Sequence, residues 1–160
     1  MTTKLKLNTT NNKISLTDGT NYKLKDLKFD LSQFKIPNKF LTLFNQISVK
    51  EVKEKNNLGE YVGIGVYNIT FKVYDRNLVE LALNNNLADY GSPITITVEN
   101  TLDLPDLSKF EEDEFIPINF TSISIYPKNT KRSIREGNKL IDLWIPTSLK
   151  MVAENYKFEG

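Results

Sequence analysis

An alternating apolar stretch between Tyr61 and Asp75 constrains the fold of this 160-residue chain more than any other feature. Every second residue of its later part is apolar, namely Tyr67, Ile69, Phe71 and Val73. Since successive side chains of a β-strand point to opposite faces of the sheet, the alternation predicts a strand with one face in a core. Gly63 and Gly65 leave one face without side chains, which indicates a bend or the close approach of another backbone or a ligand.

Further alternating segments predict the other strands. They are a strand that enters the sheet near Lys13, a strand with a bulge or break from Tyr22 to Leu31, and strands at Ile94–Val98, Phe115–Tyr126 and Leu140–Ile145. Turn residues separate these segments at close intervals. About six or seven strands of this kind favour an all-β fold with a few short helices, namely a small OB-like barrel or a sandwich.

Short helices are predicted in three places. Leu78–Leu83 is rich in helix formers, and this helix is expected to end at Asn84. Asp106 is a candidate N-cap for a second, very short helix, because its carboxylate can accept a hydrogen bond from a free backbone N–H. Thr147 or Ser148 is a candidate cap for a final helix that reaches Ala153.

The segment from Phe40 to Ile47 fits two secondary structures. Its apolar residues are spaced i, i+3, i+4 and i+7, which places Phe40, Leu43, Phe44 and Ile47 on one face of a helix. The same segment also fits the start of a strand that continues through Val49 and Val52. The mixed-charge stretch from Lys50 to Asn57 is predicted to be a turn region.

Length and composition limit both the domain count and the chemistry. The chain has the usual size of one domain, and we expect a flexible N-terminal tail over residues 1–12 and a single domain over residues 13–160. There is no Cys and no His. These absences exclude disulfides, thiol catalysis, the usual zinc sites and the Ser-His-Asp triad. We therefore expect no metal, no cofactor and no enzyme activity.

The charges nearly cancel over the chain but are segregated along it. There are 21 basic and 20 acidic side chains, so any electrostatic attraction for a polyanion must be local. The connection Glu99–Glu114 holds seven carboxylates and one lysine, but their spacing does not match a calcium-binding EF-hand loop. The stretch Lys128–Lys139 has the opposite character, with five cations and one carboxylate.

This basic stretch is predicted to be the tip of a hairpin. Ile116, Ile118 and Phe120 share one parity and Ile123 and Ile125 the other, so a β-bulge is expected near Thr121 and Ser122. In single-strand binders cations follow the phosphates and aromatic rings stack on bases. The candidate phosphate contacts are Lys128, Lys131, Arg132, Arg135 and Lys139, and the candidate stacking residues are Tyr126, Trp144 and Tyr67. Packing of Trp144 under the final helix and a merely solvated basic loop are the alternatives.

Four segments carry a resemblance to a known family. They are ITITVE (Ile94–Glu99), LPDLSKF (Leu104–Phe110), EFIPINFTSISIYP (Glu114–Pro127) and GNKLIDLWIPTSLKMV (Gly137–Val152). This pattern resembles the YdcP-like helicase processivity factors of integrative and conjugative elements in Gram-positive bacteria. The resemblance implies an OB-like barrel that binds DNA and assists a host helicase during replication and transfer of the element. Residues 60–90 have no counterpart in that pattern.

Two functions are expected from these observations. The first is a non-catalytic DNA-binding accessory protein, acting on single-stranded or duplex DNA. The alternative is a structural or protein-interaction subunit of a conjugation or phage assembly, in which the basic tip docks on an acidic surface, self-association included. No apolar run approaches the roughly 20 residues that span a bilayer, and the N-terminus lacks the apolar region of a secretory signal, so we expect a cytoplasmic protein with no membrane partner.

Overall fold

The computed structural model describes residues 6–8, 13–15, 21–23 and 28–159. These residues form ten strands and one α-helix, which confirms the all-β class. The strands are β1 (Lys6–Asn8), β2 (Lys13–Ser15), β3 (Asn21–Lys23), β4 (Phe40–Lys55), β5 (Tyr61–Asp75), β6 (Ile94–Thr101), β7 (Phe115–Thr121), β8 (Ser124–Glu136), β9 (Lys139–Ala153) and β10 (Asn155–Phe158), and the helix is α1 (Arg76–Asn84). No helix in the described part of the chain is long and apolar enough to cross a membrane.

Contacts between residues divide the chain into two compact units. The first unit combines Met1–Leu31 with Ser124–Lys150, and the second combines Ser32–Ile123 with Met151–Gly160. Each unit joins segments that are distant in sequence, so the division does not follow a linker. Of the predicted tail, residues 1–12, only β1 lies within the described residues, and a single domain over residues 13–160 stays a prediction.

The second unit is built on one sheet. Its strands follow the order β10-β7-β4-β5-β6, all antiparallel, and Met151–Ala153 at the end of β9 pair with β6 in parallel. The buried cluster on this sheet consists of Phe40, Ile69, Phe71, Val73, Ile96, Val98, Ile118 and Ala153. Three of these residues, Ile69, Phe71 and Val73, are the alternating apolar residues of β5, so the predicted core face of that strand is confirmed.

The Phe40–Ile47 segment is a strand, and the helical interpretation of its spacing is wrong. Thr42 pairs with Val73 and Ile47 pairs with Phe71, so five residue steps on β4 match only two on β5. This irregularity gives the apolar residues a spacing of three and four although the backbone is extended. The strand continues to Lys55, so the predicted turn region is confined to the residues that follow.

The two glycines of β5 mark a second irregularity. Gly65 has φ +74°, and the pairing of β4 with β5 shifts register between Glu51 and Lys53. The Glu51 carboxylate accepts a hydrogen bond from the backbone N–H of Gly65 at 3.1 Å, and it occupies the space that a Cβ on Gly63 would need. The predicted bend is therefore a local bulge, and the group that approaches closely is a side chain.

Only one of the predicted helices forms. Helix α1 ends at Asn84 as predicted, and the Asp75 carboxylate caps its start by accepting from the N–H of Asn77 at 2.9 Å. Asp106 accepts from the backbone and the hydroxyl of Ser108 in a turn that does not continue as a helix. The final helix after Ser148 is also wrong, because that stretch lies in β9, where pairing with β6 satisfies the backbone.

The first unit contains a small sheet and a long hairpin. Strands β1, β2 and β3 form a three-stranded antiparallel sheet, and β8 and β9 are neighbours joined by a tight turn. The N–H of Phe29 donates to the carbonyl of Ile125 at 2.9 Å, which ties the N-terminal segment to β8. The strand predicted from Tyr22 to Leu31 is represented by β3 alone, and residues 24–27 lie outside the described part.

The parity change near Thr121 has a different cause from the predicted bulge. Strand β7 ends at Thr121, Ser122 has φ +54°, and β8 begins at Ser124. A positive φ in a serine turns the chain sharply, because L-residues rarely adopt it within a strand. The change of parity therefore marks the end of one strand and the start of another.

Candidate nucleic-acid interface

The basic stretch belongs to a hairpin, as predicted, but most of it lies in the strands and only two residues form the tip. Strand β8 runs to Glu136 and β9 begins at Lys139, so only Gly137 and Asn138 form the turn. Gly137 has φ +63°, a conformation that glycine adopts without steric cost. The candidate cations therefore lie along the strands, where alternation decides which side each one faces.

Two cross-strand contacts identify the faces of the β8–β9 hairpin. The hydroxyl oxygens of Thr130 and Thr147 are 2.7 Å apart. The hydroxyl of Ser133 donates to the Asp142 carboxylate at 2.6 Å. Thr130 and Ser133 have opposite parity on β8, so the two contacts lie on opposite faces of the pair.

The first face carries an aromatic ring and a row of cations. Counting by alternation from Thr130 places Tyr126, Lys128 and Arg132 on its side of β8; we call this the Tyr126 face. Lys128 and Arg132 are exposed, and Tyr126 is half-buried. The ammonium of Lys28 lies 5.9 Å from the centre of the Tyr126 ring, within the range of a cation–π contact.

On the opposite face, which we call the Lys131 face, a carboxylate partly neutralises the positive charge. Lys131 Nζ lies 2.7 Å from an oxygen of Asp142, and the Ser133 hydroxyl binds the same carboxylate. Hydrogen bonds from Lys131 and then from Ser133 hold the pKa of Asp142 below its usual value. Arg135 shares the parity of Lys131 and is exposed. A polyanion approaching this face would have to compete with the Asp142 carboxylate for Lys131.

The remaining predicted site residues are Lys139, Trp144 and Tyr67. Lys139, the first residue of β9, is exposed, and counting from Thr147 places it on the Tyr126 face. Trp144 lies in the middle of β9, and its stacking role stays a prediction. Tyr67 belongs to the second unit, where it pairs with Glu51 and Thr101, and its role also stays a prediction.

Sequence reasoning missed Lys28. This residue is brought to Tyr126 by the backbone hydrogen bond between Phe29 and Ile125, across a separation of almost a hundred residues. No local pattern around Lys28 indicates that contact. Only the packing of the first unit reveals it.

A groove in the second unit is a separate feature. It has a volume of about 440 Å³ and lies between residues 103–110 and β10. The Tyr156 hydroxyl donates to the backbone carbonyl of Asp103 at 3.4 Å, and partial burial, followed by the Asp103 charge, raises the pKa of Tyr156. None of the candidate nucleic-acid contacts lines it, and the described residues contain no group of three or more carboxylates that could hold a metal ion.

Comparisons with known proteins do not identify a family. No protein-family model matches the sequence, and searches of curated proteins and of solved structures return no match. The resemblance to YdcP-like proteins therefore stays a prediction, and only the chain's own residues indicate its function.

Proposed function

We propose that this chain is a non-catalytic DNA-binding protein that contacts single-stranded DNA through the Tyr126 face. The supporting observation is the alternation on β8, which gives Tyr126, Lys128 and Arg132 a common side. Lys28, over the tyrosine ring, adds a further cation. This combination of cations and an aromatic ring is the one that sequence-tolerant single-strand binders use.

The two kinds of residue have different tasks in this proposal. The ammonium and guanidinium groups contact phosphates and release condensed counterions, which supplies sequence-independent affinity. The Tyr126 ring offers a flat surface on which a base stacks, a contact that contributes on the order of 1 to 3 kcal/mol. Asp142 lies on the Lys131 face, where its negative charge disfavours phosphate.

The wider role follows from the resemblance and is part of the same proposal. An OB-like barrel that assists a host helicase on a conjugative element would be cytoplasmic, would carry no cofactor, and would need DNA contacts without sequence preference. The Tyr126 face suits that last requirement, since phosphate contacts and base stacking do not depend on the identity of the base. In the part of the chain that the structure describes, the strands of the second unit form an open sheet. The closed OB-like barrel therefore remains part of the proposal.

Fluorescence anisotropy with a labelled oligothymidine and a labelled duplex tests the proposal. If about four cations contact phosphate, the slope of log affinity against log salt is near −3 for a single strand. Replacing Lys128 and Arg132 together by Ala is expected to weaken binding at least about tenfold and to halve this slope. Tyr126→Leu is expected to weaken binding by roughly 5- to 150-fold, the range that one stacked base contributes.

The opposite face supplies a charge-matched control. Replacing Lys131 and Arg135 together by Ala removes the same two charges from the hairpin, but affinity is expected to change less than about twofold because those cations face away from the proposed contact. Absence of binding to either DNA would reject the function. Equal losses in the two double variants would reject the Tyr126 face as the binding surface.

A structural or protein-interaction subunit is the second candidate function. It is favoured by α1, whose outward side chains include Leu78 and Leu81, 50% and 59% exposed. The two leucines lie one helical turn apart, and contiguous exposed apolar surface marks sites that contact other proteins. A chain that binds no DNA but loses self-association or a partner when both leucines are replaced by Ser would support this second function.

A further inference from the structure

One edge of strand β4 lacks a partner strand over much of its length within the part of the chain that the structure describes. One side of β4 pairs with β5 as far as Lys55, whereas the other side pairs with β7 only over Phe40–Leu43. Within the described ranges, no strand pairs with that outer side from Phe44 to Lys55. Such an edge presents N–H and C=O groups that can accept another strand.

The charges along this edge are complementary to themselves when reversed. The sequence from Lys50 to Glu54 is Lys-Glu-Val-Lys-Glu. Two copies placed antiparallel about Val52 set Lys50 opposite Glu54 and Glu51 opposite Lys53. The two valines meet at the centre, so every charged residue in the segment faces an opposite charge.

The outer pair of charges, Lys50 and Glu54, is exposed and can therefore act between molecules. Lys50 and Glu54 are both exposed, and neither forms an ion pair with another described residue. Four residue steps of extended chain place Lys50 and Glu54 about 13 Å apart, too far for an ion pair within one strand. Glu51 differs, because its carboxylate already accepts from Gly65, so the Lys50 and Glu54 pair is the better test.

We propose that two copies of this chain associate through the β4 edge, with antiparallel pairing centred on Val52. The interface is isologous, because the same segment serves on both sides. Association therefore stops at two copies and does not propagate into a filament. This association does not require DNA binding, since none of the pairing residues lies on the β8–β9 hairpin.

Charge reversal tests the pairing. Sedimentation velocity or light scattering of the wild-type chain is expected to show a dimer that dissociates on dilution. Lys50→Glu alone, or Glu54→Lys alone, places like charges opposite each other twice per dimer, and each is expected to raise the dimer dissociation constant at least about tenfold.

Two combinations are expected to restore the dimer. The double variant Lys50→Glu with Glu54→Lys recreates both attractive pairs in the reversed sense. An equimolar mixture of the two single variants also recreates them, and it should yield the mixed dimer alone. A structural effect of either substitution on folding would not be reversed by mixing, so mutual rescue is specific to this register.

A single introduced cysteine tests the centre of the interface. The chain has no Cys, and residues directly opposite in an antiparallel pair have Cα atoms about 4.5 to 5.5 Å apart, within disulfide range. Val52→Cys is expected to form a covalent dimer under mild oxidation much faster than Leu58→Cys, which is 83% exposed in the nearby turn. A wild-type monomer at all concentrations, a higher polymer, equal cross-linking rates or no mutual rescue would each overturn the proposal.

Discussion

The two long strand pairs of this chain, β4–β5 and β8–β9, are specified in different ways. In β5 the side chains of Ile69, Phe71 and Val73 are fully buried. In β8 only Ile125 is buried, and all residues from Lys131 to Glu136 are exposed. A strand can thus be held by an apolar face on a core, or by a tight turn and polar contacts to its neighbour.

The two mechanisms differ in energy. Burying a large apolar side chain contributes about 1.5 to 3 kcal/mol, whereas a cross-strand polar pair contributes roughly 0.2 to 1 kcal/mol. The Thr130–Thr147 and Ser133–Asp142 contacts belong to the second class. The distal part of the β8–β9 hairpin therefore depends on several weak contacts, and the side chains of residues 131–136 are exposed.

The largest predicted effect is at the centre of β5. The Phe71 ring is fully buried and lies 4.9 to 6.4 Å from the rings of Phe120, Tyr156 and Phe158. Phe71→Ala is expected to lower the free energy of unfolding by about 3 to 5 kcal/mol, because it removes apolar burial and leaves a cavity. Urea unfolding followed by far-UV circular dichroism measures the change.

The matched substitution on the other strand pair is Ile134→Ala. Ile134 is 44% exposed on β8, so its truncation is expected to change the free energy of unfolding by no more than about 0.5 kcal/mol. Similar losses in the two variants would show that the difference in burial does not produce a difference in stability. The contrast between the two strand pairs would then be wrong.

Sequence alone predicts the strands that have a regular apolar face. The alternation in β5 is uninterrupted from Tyr67 to Val73, and the structure confirms it. The irregular pairing between Thr42 and Ile47 gave β4 an apolar spacing close to that of a helix. Strand β4 has extra residues relative to its partner β5 in this region. Such an irregularity depends on both strands, so the periodicity of β4 alone does not reveal it.

The candidate site was harder to predict than the core. The sequence indicated a concentration of cations at Lys128–Lys139. It did not show which face of the strand each cation occupies, because β8 has no apolar alternation there. The structure divides these cations between two faces through the partners of Thr130 and Ser133. Lys28 joins Tyr126 through long-range packing, which leaves no signal near either residue.

A smaller effect is predicted at the turn of the β8–β9 hairpin. Gly137 has φ +63°, and a Cβ there would meet no atom within 4 Å. Gly137→Ala is therefore expected to cost about 1 to 2 kcal/mol from backbone conformation alone, and Gly137→Asn less, since Asn tolerates this region. Urea unfolding followed by the fluorescence of Trp144, the single tryptophan, measures both. An equal loss for Ala and Asn would contradict a purely conformational origin.

The smallest predicted effect concerns the ion pair on the Lys131 face. Hydrogen bonds from Lys131 and Ser133 lower the pKa of Asp142 from its usual value near 3.8, so the ionised carboxylate is favoured in the folded state. Its contribution to stability is present above that usual value and is lost as the pH falls through the lowered one. The contribution is small because about half of each side chain is exposed to solvent.

Asp142→Asn isolates this contribution. At neutral pH the variant is expected to unfold at slightly lower urea concentration than the wild type. The difference should begin to shrink as the pH falls below about 4 and should disappear only below the lowered pKa of the folded wild-type carboxylate. Added salt should also reduce it, since exposed charges are screened. A difference that persists unchanged into strong acid would show that Asp142 acts through its shape and neutral hydrogen bonds. The ion pair between Lys131 and Asp142 would then not stabilise the Lys131 face. Only the DNA affinities of the variants would distinguish that face from the Tyr126 face.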